Sequence, residues 1–208
     1  MRFITAKKDY HNDQRKATQN SCILNLLAIQ TEICYPFLCT NYYWKGDMQE
    51  DVFLTELRAS LSYPSEERLD KGAVAVIECI QEIPCNPCET ACRFKAIIVG
   101  EPITNLPRLI GDRCRGCGEC ISACPGLAIF IVDKTYTSDK ATVSMPYEYY
   151  PLPEVGSIVD ALDRNGRKVC DARIVRVSNP PRNNKTAVVT VAVKKEFSDL
   201  VRNVRLIF

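Results

Sequence analysis

Four cysteines crowded into eleven residues constrain this chain more than any other feature: Cys114, Cys117, Cys120 and Cys124, with Pro125 directly after. The pattern is C-x2-C-x2-C-x3-C-P. Thiolates at such short intervals wrap a tight loop around one small volume, and thiolate is a soft ligand suited to soft or borderline metal centres. Gly116 and Gly118 lie inside the loop, where a Cβ would crowd the enclosed volume or where φ must be positive.

An imperfect copy of the run lies upstream, at Cys85, Cys88 and Cys92. Aligning Cys92 with Cys124 places Cys88 on Cys120 and Cys85 on Cys117. It also places Ala96-Ile97-Ile98-Val99 on Ala128-Ile129-Phe130-Ile131. The position matching Cys114 is Glu82, a poor soft ligand, and Cys79 three residues further back is the substitute. The repeat is therefore a cysteine motif, a short helix and a hydrophobic strand, used twice. The downstream run has the spacing of the bacterial iron–sulfur ligand motif, whose last cysteine serves the other cluster. Over roughly residues 72 to 135 the chain resembles the two-cluster bacterial-type ferredoxin family, although Arg93 replaces the usual proline. The resemblance implies two [4Fe–4S] clusters. Cluster A takes Cys79, Cys85, Cys88 and Cys124; cluster B takes Cys114, Cys117, Cys120 and Cys92. If Cys79 does not reach, cluster A becomes a [3Fe–4S] cluster or takes a ligand other than cysteine.

Other uses of paired cysteines fit less well. Structural zinc takes four ligands, often with histidine, and the single histidine is His11, far from both motifs. A disulfide framework needs an oxidising compartment, and no secretory signal pattern is present. The twelve cysteines point to a reducing cytoplasm, with Cys22, Cys34, Cys39 and Cys170 left over as non-ligands. A net charge of +2 over 208 residues, without a clustered basic patch, gives no case for nucleic acid. Residues 21 to 39 are apolar-rich, but Asn25, Gln30, Glu32 and Pro36 break them. A transmembrane helix needs about 20 mainly apolar residues, so no membrane insertion is expected.

The expected fold class is α+β: a ferredoxin-like pseudo-twofold dicluster domain followed by a small, β-rich, barrel-like C-terminal domain. Residues 1–47 read as an ill-defined extension and 48–71 as a helical arm, with Asp51 to Ser60 an amphipathic helix and Ser65 to Leu69 a capped turn. The dicluster domain spans 72–146 and opens on the strand Ala73 to Ile80. Its halves are joined by the Pro-bearing connector Gly100 to Pro107, read as a plain link. The β-rich domain spans 147–208, with strands at Ser157–Asp163, Val169–Val177 and Thr186–Val193. The first two are joined by an Asn165-Gly166 hairpin turn of type I′. Glu196 to Asn203 looks helical.

Two such clusters make an iron–sulfur electron-transfer protein. The chain offers no histidine base, activated nucleophile or phosphate-cradling loop, so it is expected not to be an enzyme on its own. Residues 48 to 208 resemble the small iron–sulfur components that accompany flavin-dependent amino-acid or hydroxyproline dehydrogenases. That resemblance implies a relay subunit whose partner is a flavoprotein dehydrogenase subunit or another redox protein. The alternatives are a free ferredoxin-type carrier and a structural zinc or regulatory protein. Free ferredoxins are usually small and acidic, and the neutral charge with the added β-rich tail favours a docked subunit.

Overall fold

The computed structural model describes residues 52–207. The expected extension 1–47, with His11, Cys22, Cys34 and Cys39, lies outside the described residues. Asp47–Phe208 makes up one compact unit. It begins with helices α1 (Val52–Ala59) and α2 (Glu66–Leu69). Ser65 caps α2, its hydroxyl accepting from the Arg68 N–H at 3.3 Å, which satisfies one of the donors that a helix start leaves unpaired.

The cysteine repeat folds as two similar runs. The first is β1 (Val74–Ile77), a loop, α3 (Pro87–Ala91) and β2 (Ile97–Ile98). The second is β3 (Arg108–Leu109), a loop, α4 (Glu119–Ala123) and β4 (Ile129–Asp133). The outer strands pair with each other, antiparallel, from Val74↔Val132 to Ile77↔Ile129. The inner strands pair likewise, Ile97↔Leu109 and Ile98↔Arg108, and α3 packs against α4. Lys95 and Leu127, each three residues after the last cysteine of its motif, both adopt φ +52°. Both donate their N–H to that cysteine's carbonyl, at 3.0 and 3.2 Å.

Past β4 the chain adds β5 (Lys140–Tyr147), β6 (Ile158–Leu162), β7 (Lys168–Ser178), β8 (Ala187–Lys194) and β9 (Asn203–Leu206). These join β1 and β4 in one seven-stranded sheet of order β1-β4-β5-β8-β7-β6-β9, antiparallel throughout. The boundary expected at 146/147 therefore falls within a continuous sheet. β5 pairs with β4 on one side and along its whole length, Lys140↔Lys194 to Tyr147↔Ala187, with β8 on the other. Ala141, Val143, Met145 and Tyr147 alternate into the interior. Strand β4 feeds both cores: Ile129 and Ile131 pack around the cysteine repeat, and Phe130 packs with Val143, Ile174 and Val191.

Two local expectations are corrected. Glu196 to Asn203 is not a helix: Lys195–Phe197 forms one 3₁₀ turn and Asn203 starts β9. The free edge of β6 pairs with β9, Val159↔Leu206 to Leu162↔Asn203, and that pairing buries Val204. The β6–β7 turn is not type I′, because only Gly166 has positive φ, at +77°. Asp163 and Arg167 close a three-residue loop through Asp163 N–H to Arg167 O at 2.9 Å, with glycine at the left-handed position that such a loop requires.

Two arginine-centred networks tie remote parts of this unit together. Arg68 on α2 donates to the carbonyls of Gly111, Gly72, Ala73 and Cys114 at 2.8 to 2.9 Å. One planar guanidinium thus fastens the start of β1 to the loop that bears Cys114. At the other end of β1, the Glu78 carboxylate accepts from Arg164 Nε at 2.7 Å and Arg202 Nε at 2.5 Å. The Arg202 side chain is 3% exposed, and its guanidinium lies 4.9 Å over the Phe130 ring.

Candidate metal centre

The cysteines of the two motifs line two cavities. Cys79, Cys85 and Cys88, from the loop after β1 and the start of α3, share the first with Cys124. Cys114, Cys117 and Cys120, from the loop before α4 and its first turn, share the second with Cys92. Each cavity thus draws three cysteines from one run and one from the other. The crossing follows from the helices: each last cysteine closes its helix (Cys92 after α3, Cys124 after α4), about one and a half turns past the loop that holds its neighbours.

The loops owe their course to close packing. At Gly116 the backbone has φ +63°, and a Cβ there would lie 2.4 Å from the Ala73 Cβ and 2.8 Å from the Ala73 carbonyl oxygen. No side chain fits, so the Cys114–Cys117 loop can cross the start of β1 only at glycine. The connector between the repeats is more than a link. Asn105 and Pro107 wall the first cavity, and the Cys85 N–H donates to Ile103 O at 3.1 Å.

The two cavities lie along one strand pair. Ala75 and Ile131, a cross-strand pair, line the second cavity; Ile77 and Ile129, the pair two positions along, line the first. Two strand positions span about 7 Å. Backbone N–H groups point at the sulfurs as well: Ala75 N–H reaches Cys114 Sγ at 3.4 Å and Ala96 N–H reaches Cys92 Sγ at 3.2 Å.

Electrostatics disfavour the Cys88 and Cys120 thiolates unless a cation is present. Burial, with the neighbouring Cys124, Cys85 and Cys79, pushes the Cys88 thiol up to about 11. Burial foremost, then Cys114, Cys117 and Cys92, pushes Cys120 further up. Metal cations reverse this balance and deprotonate coordinating thiols outright. Among the described residues, no three Cys, His, Asp or Glu side chains converge closely enough to hold a single metal ion. Four sulfurs spread round a cavity suit a polynuclear cluster better than one zinc with Zn–S bonds of about 2.3 Å. The donor set and its spacing fit [4Fe–4S] groups.

Cys170 stands apart on β7, packed against the sheet core, where burial raises its thiol to about 11. Arg68 and Glu78 support the site from α2 and the end of β1, and no local motif marks either of them. No helix among the described residues is long and apolar enough to cross a membrane.

Comparison with known proteins bears on this assignment. A 38-residue stretch, 18% of this chain, is 42% identical to one component of the Na(+)-translocating ferredoxin:NAD(+) oxidoreductase complex of Acetobacterium woodii, and spans only 11% of that protein. No solved structure matches the chain. Residues 107–130, which carry Cys114, Cys117, Cys120 and Cys124, match the 4Fe-4S binding domain, and this chain accordingly carries an iron–sulfur binding segment of the ferredoxin kind.

Proposed function

We propose that this chain is a two-cluster iron–sulfur electron relay built on a ferredoxin-like pseudo-twofold unit. Cys79, Cys85, Cys88 and Cys124 hold one [4Fe–4S] cluster, and Cys92, Cys114, Cys117 and Cys120 hold the other. The observation that carries the reading is the strand pair common to both sites. Two four-cysteine cavities lie along the same strand pair, offset by two residues, a spacing suited to fast electron exchange.

Each bound cluster supplies a centre that takes up and releases one electron, at a potential set by its hydrogen bonds, charge and exposure. The protein's part is positional. Ala75 and Ala96 aim N–H groups at thiolate sulfurs, which favours the more negative state. Ile77, Ile129 and Ile131 keep the inner walls apolar. In this reading substrate chemistry belongs to a partner, and the chain is a cytoplasmic relay subunit beside a flavin-dependent dehydrogenase. The relative's membership of an oxidoreductase complex supports a subunit over a free carrier.

Potentiometric titration of the anaerobically reconstituted full chain should give two reversible one-electron steps, followed in the visible spectrum and by electron paramagnetic resonance. A reconstituted chain that takes up no electrons contradicts the reading.

A further inference from the structure

The two cavities open onto unlike surfaces. Beside the Cys79–Cys85–Cys88–Cys124 cavity, Ile80, Ile83, Ile103 and Leu106 are 62, 50, 38 and 41% exposed. They sit on two loops that the Cys85 N–H to Ile103 O bond holds together at 3.1 Å. Clustered exposed apolar side chains mark interaction surfaces. Residues 79–92 and 96–107 contain no Lys or Arg, and the exposed charges among them are Glu82 and Glu101, with the exposed Arg93 and Arg108 directly after these segments. At the other cavity Arg115 and Glu119 both line the wall, and Lys95, Arg113 and Asp112 are exposed nearby in sequence, leaving that surface more basic. Ile83 both lines the first cavity and is half exposed, so a protein resting on it is one side chain from the cysteines.

We propose that this face docks a redox protein whose own surface is apolar at its centre and basic at its rim, and that electrons cross there. The proposal rests on the electron-relay reading. An acidic, apolar face selects such a partner by complementarity, and rim charges act chiefly on the association rate and its salt dependence.

The test uses ferricytochrome c, a haem protein with a basic rim around its haem edge, as probe. Reduced, reconstituted full chain is mixed with it anaerobically by stopped flow, after iron content and visible spectra are matched across variants. Glu82→Lys with Glu101→Lys should lower the second-order rate constant about tenfold at low salt and flatten its salt dependence. Glu154→Lys with Glu196→Lys, the same charge change at exposed sites outside the two loops, should alter it less than about twofold. Ile80→Ser with Leu106→Ser should slow the reaction at high salt as well. Equal effects from the two charge-reversal pairs, or no effect from either, overturn the docking face while leaving the clusters in place. A chain that binds no iron overturns the relay reading itself.

Discussion

Cys92→Ala is expected to abolish the paramagnetic signal of the cluster bound by Cys114, Cys117 and Cys120, although those ligands lie more than twenty positions downstream. Cys124→Ala should instead damage the cluster at Cys79, Cys85 and Cys88. The cause is geometric: Cys92 lines the downstream cavity and Cys124 the upstream one. Both variants should also lose folding stability, because metal binding at such sites is coupled to folding and each crossing ligand ties one repeat to the other. The readout is electron paramagnetic resonance of the two reduced clusters in each variant, with iron content. Retention of the downstream signal in Cys92→Ala, with loss of the upstream one, would mean that each motif binds its own cluster independently.

Glu78→Gln should cost about 3–5 kcal/mol of folding stability, the usual penalty for removing one partner of a buried ion pair. The Glu78 side chain is 7% exposed and those of Arg202 and Arg164 are 3% and 16%. Arg202 Nη2 has no hydrogen-bond partner even with the carboxylate present, so neutralising Glu78 leaves a buried cation poorly compensated. Adding Arg202→Met should restore most of the loss, since an apolar side chain of similar length can occupy the place over Phe130 and buried pairs are often replaceable in this way. Denaturant midpoints of the three loaded proteins decide the matter. A cost below about 1 kcal/mol for Glu78→Gln would place the pair among weak surface bridges.

How far the fold is legible in the sequence depends on how local its causes are. Cys114 to Cys124, the strands at Val74–Ile77 and Lys168–Ser178, and the Ser65 cap are each specified within about a dozen residues, and each can be read directly. The repeat aligns Cys92 with Cys124 but does not say which cavity either enters; in the sequence the crossed grouping comes only from the resemblance to two-cluster ferredoxins. Strand β5 is not legible: its small and polar residues and Pro146 mask an alternation that counts only once β8 lies beside it. Glu196 to Asn203 looks helical because Phe197, Leu200 and Val201 have helical spacing, yet the open edge of β6 decides the outcome. Arg68 bridging to Gly111 and Cys114, and Glu78 gripping Arg164 and Arg202, depend on partners 43 to 124 positions away. No window along the chain contains them. The connector Gly100 to Pro107 reads as a link because nothing in its composition announces that Asn105 and Pro107 wall a cavity.

The central claim, two cubane clusters held by eight cysteines, is tested most directly by iron and acid-labile sulfide analysis of the full chain reconstituted under anaerobic conditions. The account predicts about eight irons and eight sulfides per chain, two four-iron groups. About seven irons, with an oxidised three-iron signal, would remove Cys79 from the ligand set. About four irons, or zinc in place of iron, would contradict the two-cluster account.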